Sequence, residues 1–394
     1  MTTGRTSWLL RRPEQTRTAF LELFFDLVFV VALFLLSHEL LKHLSWIGAL
    51  QTLVLLLAVL VVWFFVVLFT DTFDVRHPLI QLMVMSIMFC ALVMAAAVPE
   101  AFGRRGLVFA GAYVTVRVGA TAAGALLLRG HEAVRNALRL LFWFSMTASP
   151  WIVGAFLHGW ARAALWMAAL VVEYIAIGLG FPTPGLGRGG TRRIEVVVSE
   201  EHMAERYRLF FIIALGEPIL VIGLTFSSGD FGPASGAATL VAFATTGLLW
   251  RIYIYRAGAM LSLAIAAARN PRRVAVLTIY AHVTMVAGIV SIAVGDDLVI
   301  QDPLVQTNPT RIVIVLGGPI LFLAGRAAFE YAVFQRLPRP RVIGALTLIA
   351  ITPAMRLVPA LATAAAAALV LAGVAIADAV RTPTITLGAP SPPA

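Results

Sequence analysis

The sequence predicts an all-α fold, a polytopic transmembrane helical bundle of about twelve spans arranged as two parallel six-helix halves. Three observations predict it. Of the 394 residues, 60% are hydrophobic and 13% charged, and mean hydropathy is +0.91, whereas soluble domains hold roughly 45 to 50% apolar residues. The apolar residues fall into runs of about 20, long enough to cross a hydrocarbon core of about 30 Å. Arginine is distributed unevenly between the loops on the two sides, as in helical membrane proteins.

The first apolar run, 20–41, follows an N-terminal segment, 1–19. It is too long for the apolar core of a signal peptide and lacks a small-residue cleavage site, so it is expected to remain as a span. Arg11 and Arg12 before it read as cytoplasmic anchor charges. Runs at 46–69, 78–98, 106–128, 137–157 and 160–180 complete a first six-helix half, 20–180. Residues 181–203, FPTPGLGRGGTRRIEVVVSEEHM, are the longest polar insert and carry the proline and glycine of a linker. Its GLGRGG follows no strand, which argues against a nucleotide loop. A second half, 204–380, holds runs at 204–225, 235–256, 274–295, 311–331, 341–357 and 359–380, before a tail at 381–394. Pro353, Arg356 and Pro359 interrupt the last pair, so ten or eleven spans are alternatives.

Assigning alternate loops to opposite faces gathers nearly all the arginines on one side, from Arg11 through Arg192 and Arg193 to Arg339 and Arg381. Lys42, Arg104, Arg105, Arg162, Arg311 and Arg356 fall on the other. That asymmetry predicts a multi-pass protein of the bacterial cytoplasmic membrane with both termini cytoplasmic. It also accounts for the net charge of +10 without invoking nucleic acid. One cysteine, Cys90, excludes an intrachain disulfide and a cysteine-based metal site. The halves echo one another faintly: Glu22 with Glu205, Trp63 with Trp250, His77-Pro78 with Asn270-Pro271, and Glu173 with Asp378. Six spans per half make the repeat parallel.

Ionisable residues inside apolar runs are the candidate binding groups, because each costs roughly 2.5 to 3.5 kcal/mol at a helix centre. Glu22 and Asp26 are spaced i, i+4 and share one helix face, which must look into the bundle. Arginines at the start of the seventh span, such as Arg206 and Arg208, could neutralise them; a bound cation, a proton or a substrate headgroup is the functional alternative. Glu217 lies roughly 18 Å deeper than Glu205. Gly216 and Pro218 flank it, so a break there could free carbonyls beside a carboxylate; a simple proline kink with a protonated Glu217 bonded to a neighbour is the alternative. Glu173, Arg117 and His282 are further buried groups, with Arg117 the expected counter-ion of one acid and His282 either a packing residue or a proton carrier. Acids outnumber bases in these runs, which favours a cationic or protonic ligand. Asp71 and Asp74, at i, i+3 in FTDTFDVRHP, are weak candidates to hold Mg²⁺ against a diphosphate; a solvated loop with a capping aspartate is the alternative. No Walker A loop, HExxH, zinc-type cluster or G-x-S-x-G elbow occurs, and no cofactor is expected.

ELFFDLVFV at 22–30 and AERYRLFFIIALGEPIL at 204–220 resemble the two halves of the bacterial low-temperature-requirement A (LtrA) family. DTFD before RHP and YAHVTMVAGIVSIAVG at 280–295 extend the likeness over most of the chain. The resemblance implies a many-helix membrane protein and puts Glu22, Asp26, Glu205, Arg206 and Glu217 within family motifs. It implies no reaction. The function expected from the residues is a cation- or proton-coupled transporter of a small solute, with Asp26 and Glu217 central, Glu22 and Glu205 at the cytoplasmic mouth and Arg117 as counter-charge. An intramembrane enzyme acting on a lipid or isoprenoid is the alternative, using Asp71 and Asp74 or Glu217. Expected partners are membrane lipids and a small-molecule or ionic solute, with assembly as a homo-oligomer left open.

Overall fold

The computed structural model describes residues 9–11, 20–187, 200–229, 231–254, 261 and 271–380. Most of the expected N-terminal segment 1–19, linker 181–203 and tail 381–394 therefore lies outside the described residues. Among the described residues the chain is helical, with isolated bridges and no named strand. Before the described residues break at 187 come α1 Phe20–Lys42, α2 Trp46–Thr72, α3 Pro78–Ala97, α4 Gly106–Val114, a π-helical turn Thr115–Gly119, α5 Ala120–Leu127, α6 Val134–Phe156 and α7 Gly159–Leu179. From 200 onward come α8 Glu200–Ser228, α9 Pro233–Ile254, α10 Pro271–Gln301, α11 Pro309–Phe334, α12 Arg339–Ile351 and α13 Ala360–Val380.

Local chemistry explains several helix ends. Ser45 accepts the Gly48 N–H at 3.1 Å before α2, and Asn308 accepts the Arg311 N–H at 2.8 Å before α11. Pro78 and Pro309 occupy first-turn positions, where a missing N–H costs nothing. Gly180 ends α7 with φ 71°, a left-handed cap that favours glycine.

Among the described residues, ten helical segments are long and apolar enough to cross a membrane, with α4, the π turn and α5 acting as one. The remaining two of the expected twelve runs differ for physical reasons. Helix α6 carries Arg135 and Arg139 in its opening turns, and Ser145, Thr147, Ser149 and Pro150 interrupt its apolar residues farther on. Helix α12 is only 13 residues long and stops at Ile351, where the sequence reading extends to 357. Pro353 cannot continue its hydrogen bonding, and the chain turns through a short 3₁₀ segment, Ala354–Leu357.

α8 packs against both α1 and α10, which also touch each other, while α2 is deeply buried beside them. We call the end at which α1 and α8 begin the near face. Helices α10 and α11 approach backbone to backbone: a Cβ on Gly288 would stand 2.6 Å from the Phe322 nitrogen, and one on Gly325 2.7 Å from the Ala281 carbonyl oxygen. Such close approach, with many dispersion contacts, holds helices together where lipid offers no hydrophobic contrast. At the near face, residues 9–11 are tied to the end of α2. The Arg11 N–H donates to the Thr72 carbonyl at 3.2 Å and the Asp74 N–H to that of Leu9 at 2.8 Å.

Candidate functional site

Glu22 and Asp26 lie on one face of α1, and both are fully buried. Their i, i+4 spacing turns them together toward α8, where residues one helical turn apart answer them. Asp26 accepts two hydrogen bonds from the Arg206 guanidinium, at 2.9 and 2.8 Å, and a third from the Trp63 indole at 3.0 Å. A two-pronged arginine–carboxylate pair satisfies charge and geometry together. Arg206 is therefore the counter-ion, whereas Arg208, two residues on, points outward and is exposed. Trp250, which the repeat aligned with Trp63, is also exposed.

Nearer the face, Glu22 meets Arg11 at 3.3 Å and His202 at 3.1 Å, while the other His202 nitrogen lies 3.2 Å from Asp71. The Arg11 guanidinium also reaches the Thr70 carbonyl and the His202 ring, at 3.2 and 3.0 Å. Sequence reasoning missed both Arg11 and His202. Arg11 read as a surface anchor, yet its backbone pairing along α2 carries it inward. His202 read as the end of a linker, although its i, i+4 spacing to Arg206 repeats that of Glu22 to Asp26. Glu205, the expected partner of Glu22 in the repeat, is half-buried instead.

The remaining expected residues separate by depth and by helix. Glu217 is fully buried just past the middle of α8, about 22 Å from His202 at 1.5 Å per residue. Helix α8 runs unbroken through Pro218, correcting the expected break. A proline removes one backbone donor without ending a long helix supported by neighbours. The Ser37 hydroxyl faces Glu217 but donates to the Phe34 carbonyl at 3.0 Å. Neither Glu217 carboxyl oxygen makes a hydrogen bond of good geometry among the described residues. Farther along, Asp296 and Asp297 of α10 are buried; Thr225 donates to Asp297, and Gln301 does so at 2.8 Å.

Arg117 is carried inward by the π turn, a distortion that recurs at functional positions. It pairs with Glu173 at 3.3 Å, lies over the Phe144 ring at 3.8 Å, and shares Glu173 with the donating Tyr113 hydroxyl. His282 bonds the Tyr253 hydroxyl at 3.0 Å and the Thr278 carbonyl at 2.8 Å and stacks on Tyr207, as a packing residue does. A second ionic group, Arg326 and Glu330 of α11 with Arg341 and Asp378, joins α11, α12 and α13. Asp71 and Asp74 part company: Asp71 turns inward to His202, while Asp74 accepts the Arg76 N–H at 3.0 Å and pairs with its guanidinium. Among the described residues, no group of three or more His, Cys, Asp or Glu is arranged to hold a metal.

The family model described as bacterial low temperature requirement A protein (LtrA) matches residues 17–376. A relative from Rhizobium meliloti (strain 1021), described as uncharacterized protein RA0937, is 34% identical over 376 residues, covering 94% of this chain and 90% of its own. No solved structure matches.

Proposed function

Because the chain belongs to the bacterial low temperature requirement A (LtrA) family, whose name states no reaction, we propose from its buried groups that it is a proton-coupled transporter of a small solute. The observation that carries this reading is a series of buried carboxylates at successive depths along one helix seam. Glu22 and Asp26 lie on α1, Glu217 on α8, and Asp296 and Asp297 on α10. Buried acids in membrane helices are costly and typically mark ion or proton paths. The near-face members are held by Arg11, His202 and Arg206, whereas neither oxygen of Glu217 has a hydrogen-bond partner among the described residues. A carboxyl of that kind suits reversible protonation, since no arginine among the described residues pairs with it.

In this reading α6 and α12 complete twelve crossings in two parallel halves, and the near face is cytoplasmic, as the distribution of arginine along the sequence suggests. Movement of one half against the other would expose Glu217 alternately to the two sides. The test is electrometry on proteoliposomes adsorbed to a solid-supported membrane, stepped in pH with no other solute change. Wild-type protein is expected to give a charge displacement absent from empty liposomes and lost in Glu217→Gln. Equal displacement in Glu217→Gln overturns the reading.

A further inference from the structure

Helices α8 and α10 lie side by side and run in the same direction: Tyr207 stacks on His282 toward their beginnings, and Thr225 meets Asp297 toward their ends. Thr225 lies about 12 Å beyond Glu217 at 1.5 Å per residue. Asp296 and Asp297 therefore stand between Glu217 and the far face, the end opposite the near one. Only about 8 Å of helix separates Asp296 from the end of α10 at Gln301.

Both acids are more than nine-tenths buried, at 7% and 6% exposed, but their surroundings differ. Asp297 is met by two donors, the Thr225 hydroxyl and the Gln301 amide, the latter at 2.8 Å. Hydrogen bonds of this kind stabilise the ionised form of a carboxyl. Among the described residues, no donor reaches Oδ2 of Asp296. A buried carboxylate oxygen without a donor is costly, and a bound proton removes that cost by making the group neutral. A second negative charge beside an ionised Asp297 would add to it.

The charged groups that neighbouring helices bring to this end of α10 are engaged elsewhere or exposed. Arg311 of α11 pairs with Asp302 at 2.6 Å, and Arg162 of α7 donates to backbone carbonyls. Helix α1 ends with Glu39, which pairs with His43 at 3.1 Å, and with His38 and Lys42, both exposed. Glu217 is the acid that α8 brings toward this side, and α2, α9 and α13 carry no acid or base in the halves nearer the far face.

We propose that Asp296 is a second proton-binding carboxyl, neutral while Asp297 beside it stays ionised, and that it exchanges its proton with the far face. One O–H bond forms and breaks at Asp296, the proton coming from water and returning to it. Service as the step between Glu217 and the far face rests on the transport reading, whereas protonation of Asp296 does not, so the two can fail separately.

The experiment is infrared difference spectroscopy between acidic and alkaline buffer on the full chain reconstituted in lipid, comparing wild type with Asp296→Asn, Asp297→Asn and Glu217→Gln. One reversible carboxylic-acid band is expected to vanish in Asp296→Asn and a different one in Glu217→Gln, with neither lost in Asp297→Asn. Bands identical in wild type and folded Asp296→Asn, or a band lost in folded Asp297→Asn, overturn the proposal. A band lost in Asp296→Asn but none in Glu217→Gln supports the proposal and removes the proton role of Glu217; the converse removes the proposal and keeps that role. Gel-filtration elution identifies folded variants. If Asp296→Asn does not fold, protein labelled with carbon-13 at the aspartate carboxyl decides: one label-sensitive reversible band of the wild type should lose its sensitivity in Asp296→Glu. Label-sensitive bands that are absent from the wild type, or the same in both proteins, overturn the proposal.

Discussion

Removing both partners of the Asp26–Arg206 pair is expected to cost no more than removing either one. Both side chains are fully buried, and the pair is held by two charge-assisted bonds of 2.9 and 2.8 Å with Trp63 as a third contact. Asp26→Asn keeps the shape and the indole bond but leaves a buried guanidinium uncompensated; Arg206→Gln leaves a buried carboxylate. Each single change should destabilise by about 3–5 kcal/mol, the usual cost of breaking a buried pair from one side. The double variant, with no net buried charge, should lose about as much as either single one. The sum of the singles would then exceed the double by about 3 kcal/mol, far outside the roughly 0.5 kcal/mol scatter of independent sites. Equilibrium unfolding in mixed micelles can be followed by a thiol-reactive dye, because Cys90 is the only cysteine and lies half-buried on α3. Additivity of the two changes would refute the reasoning that Arg206 exists here to neutralise Asp26.

Four further expectations use the same unfolding assay. Gly288→Ala should destabilise by about 1–3 kcal/mol through overpacking, since its Cβ would meet backbone of α11 at 2.6 Å. Gly317→Ala, with nothing within 4 Å of the added carbon, should be neutral or slightly stabilising. Arg162→Lys should cost at least about 2 kcal/mol, because an ammonium cannot reproduce the planar donor set that now reaches the carbonyls of Ala101, Gly103, Gly154, Ala155 and Leu157. Arg11→Ala should destabilise by about 1.5–3 kcal/mol, the worth of hydrogen bonds to a charged group, and should speed proteolysis within residues 1–19; unchanged cleavage would show that Arg11 does not pin this segment.

Periodicity and cost made much of this legible. Glu22 and Asp26 had to share a buried face because of their spacing, and Arg206 was nameable as a counter-ion because it opens a span parallel to theirs. Arg117 was readable as the partner of a buried acid, and Glu173 is that acid. What stayed hidden depended on contacts between distant segments. The pairing of Leu9–Arg11 with the end of α2 is a backbone interaction that no side-chain pattern announces. The π turn at Arg117 is invisible to a helical period, though one extra residue there re-aims the guanidinium. Arg162 counted as a loop charge on the far side, yet it is buried and caps backbone carbonyls, so that side carries fewer exposed charges than a tally by position suggests. Proline at 218 read as a break because propensity weighs it alone, whereas packing of α8 between α1 and α10 keeps the helix whole.

The central claim is that Glu217 takes up and releases a proton inside the bundle. Infrared difference spectroscopy on protein reconstituted in lipid, cycled between acidic and alkaline buffer, reads carboxylic-acid bands directly. The account predicts a reversible carboxyl band that is present in the wild type and missing in Glu217→Gln, with the protein folded in both. An identical set of bands in the two proteins would contradict it.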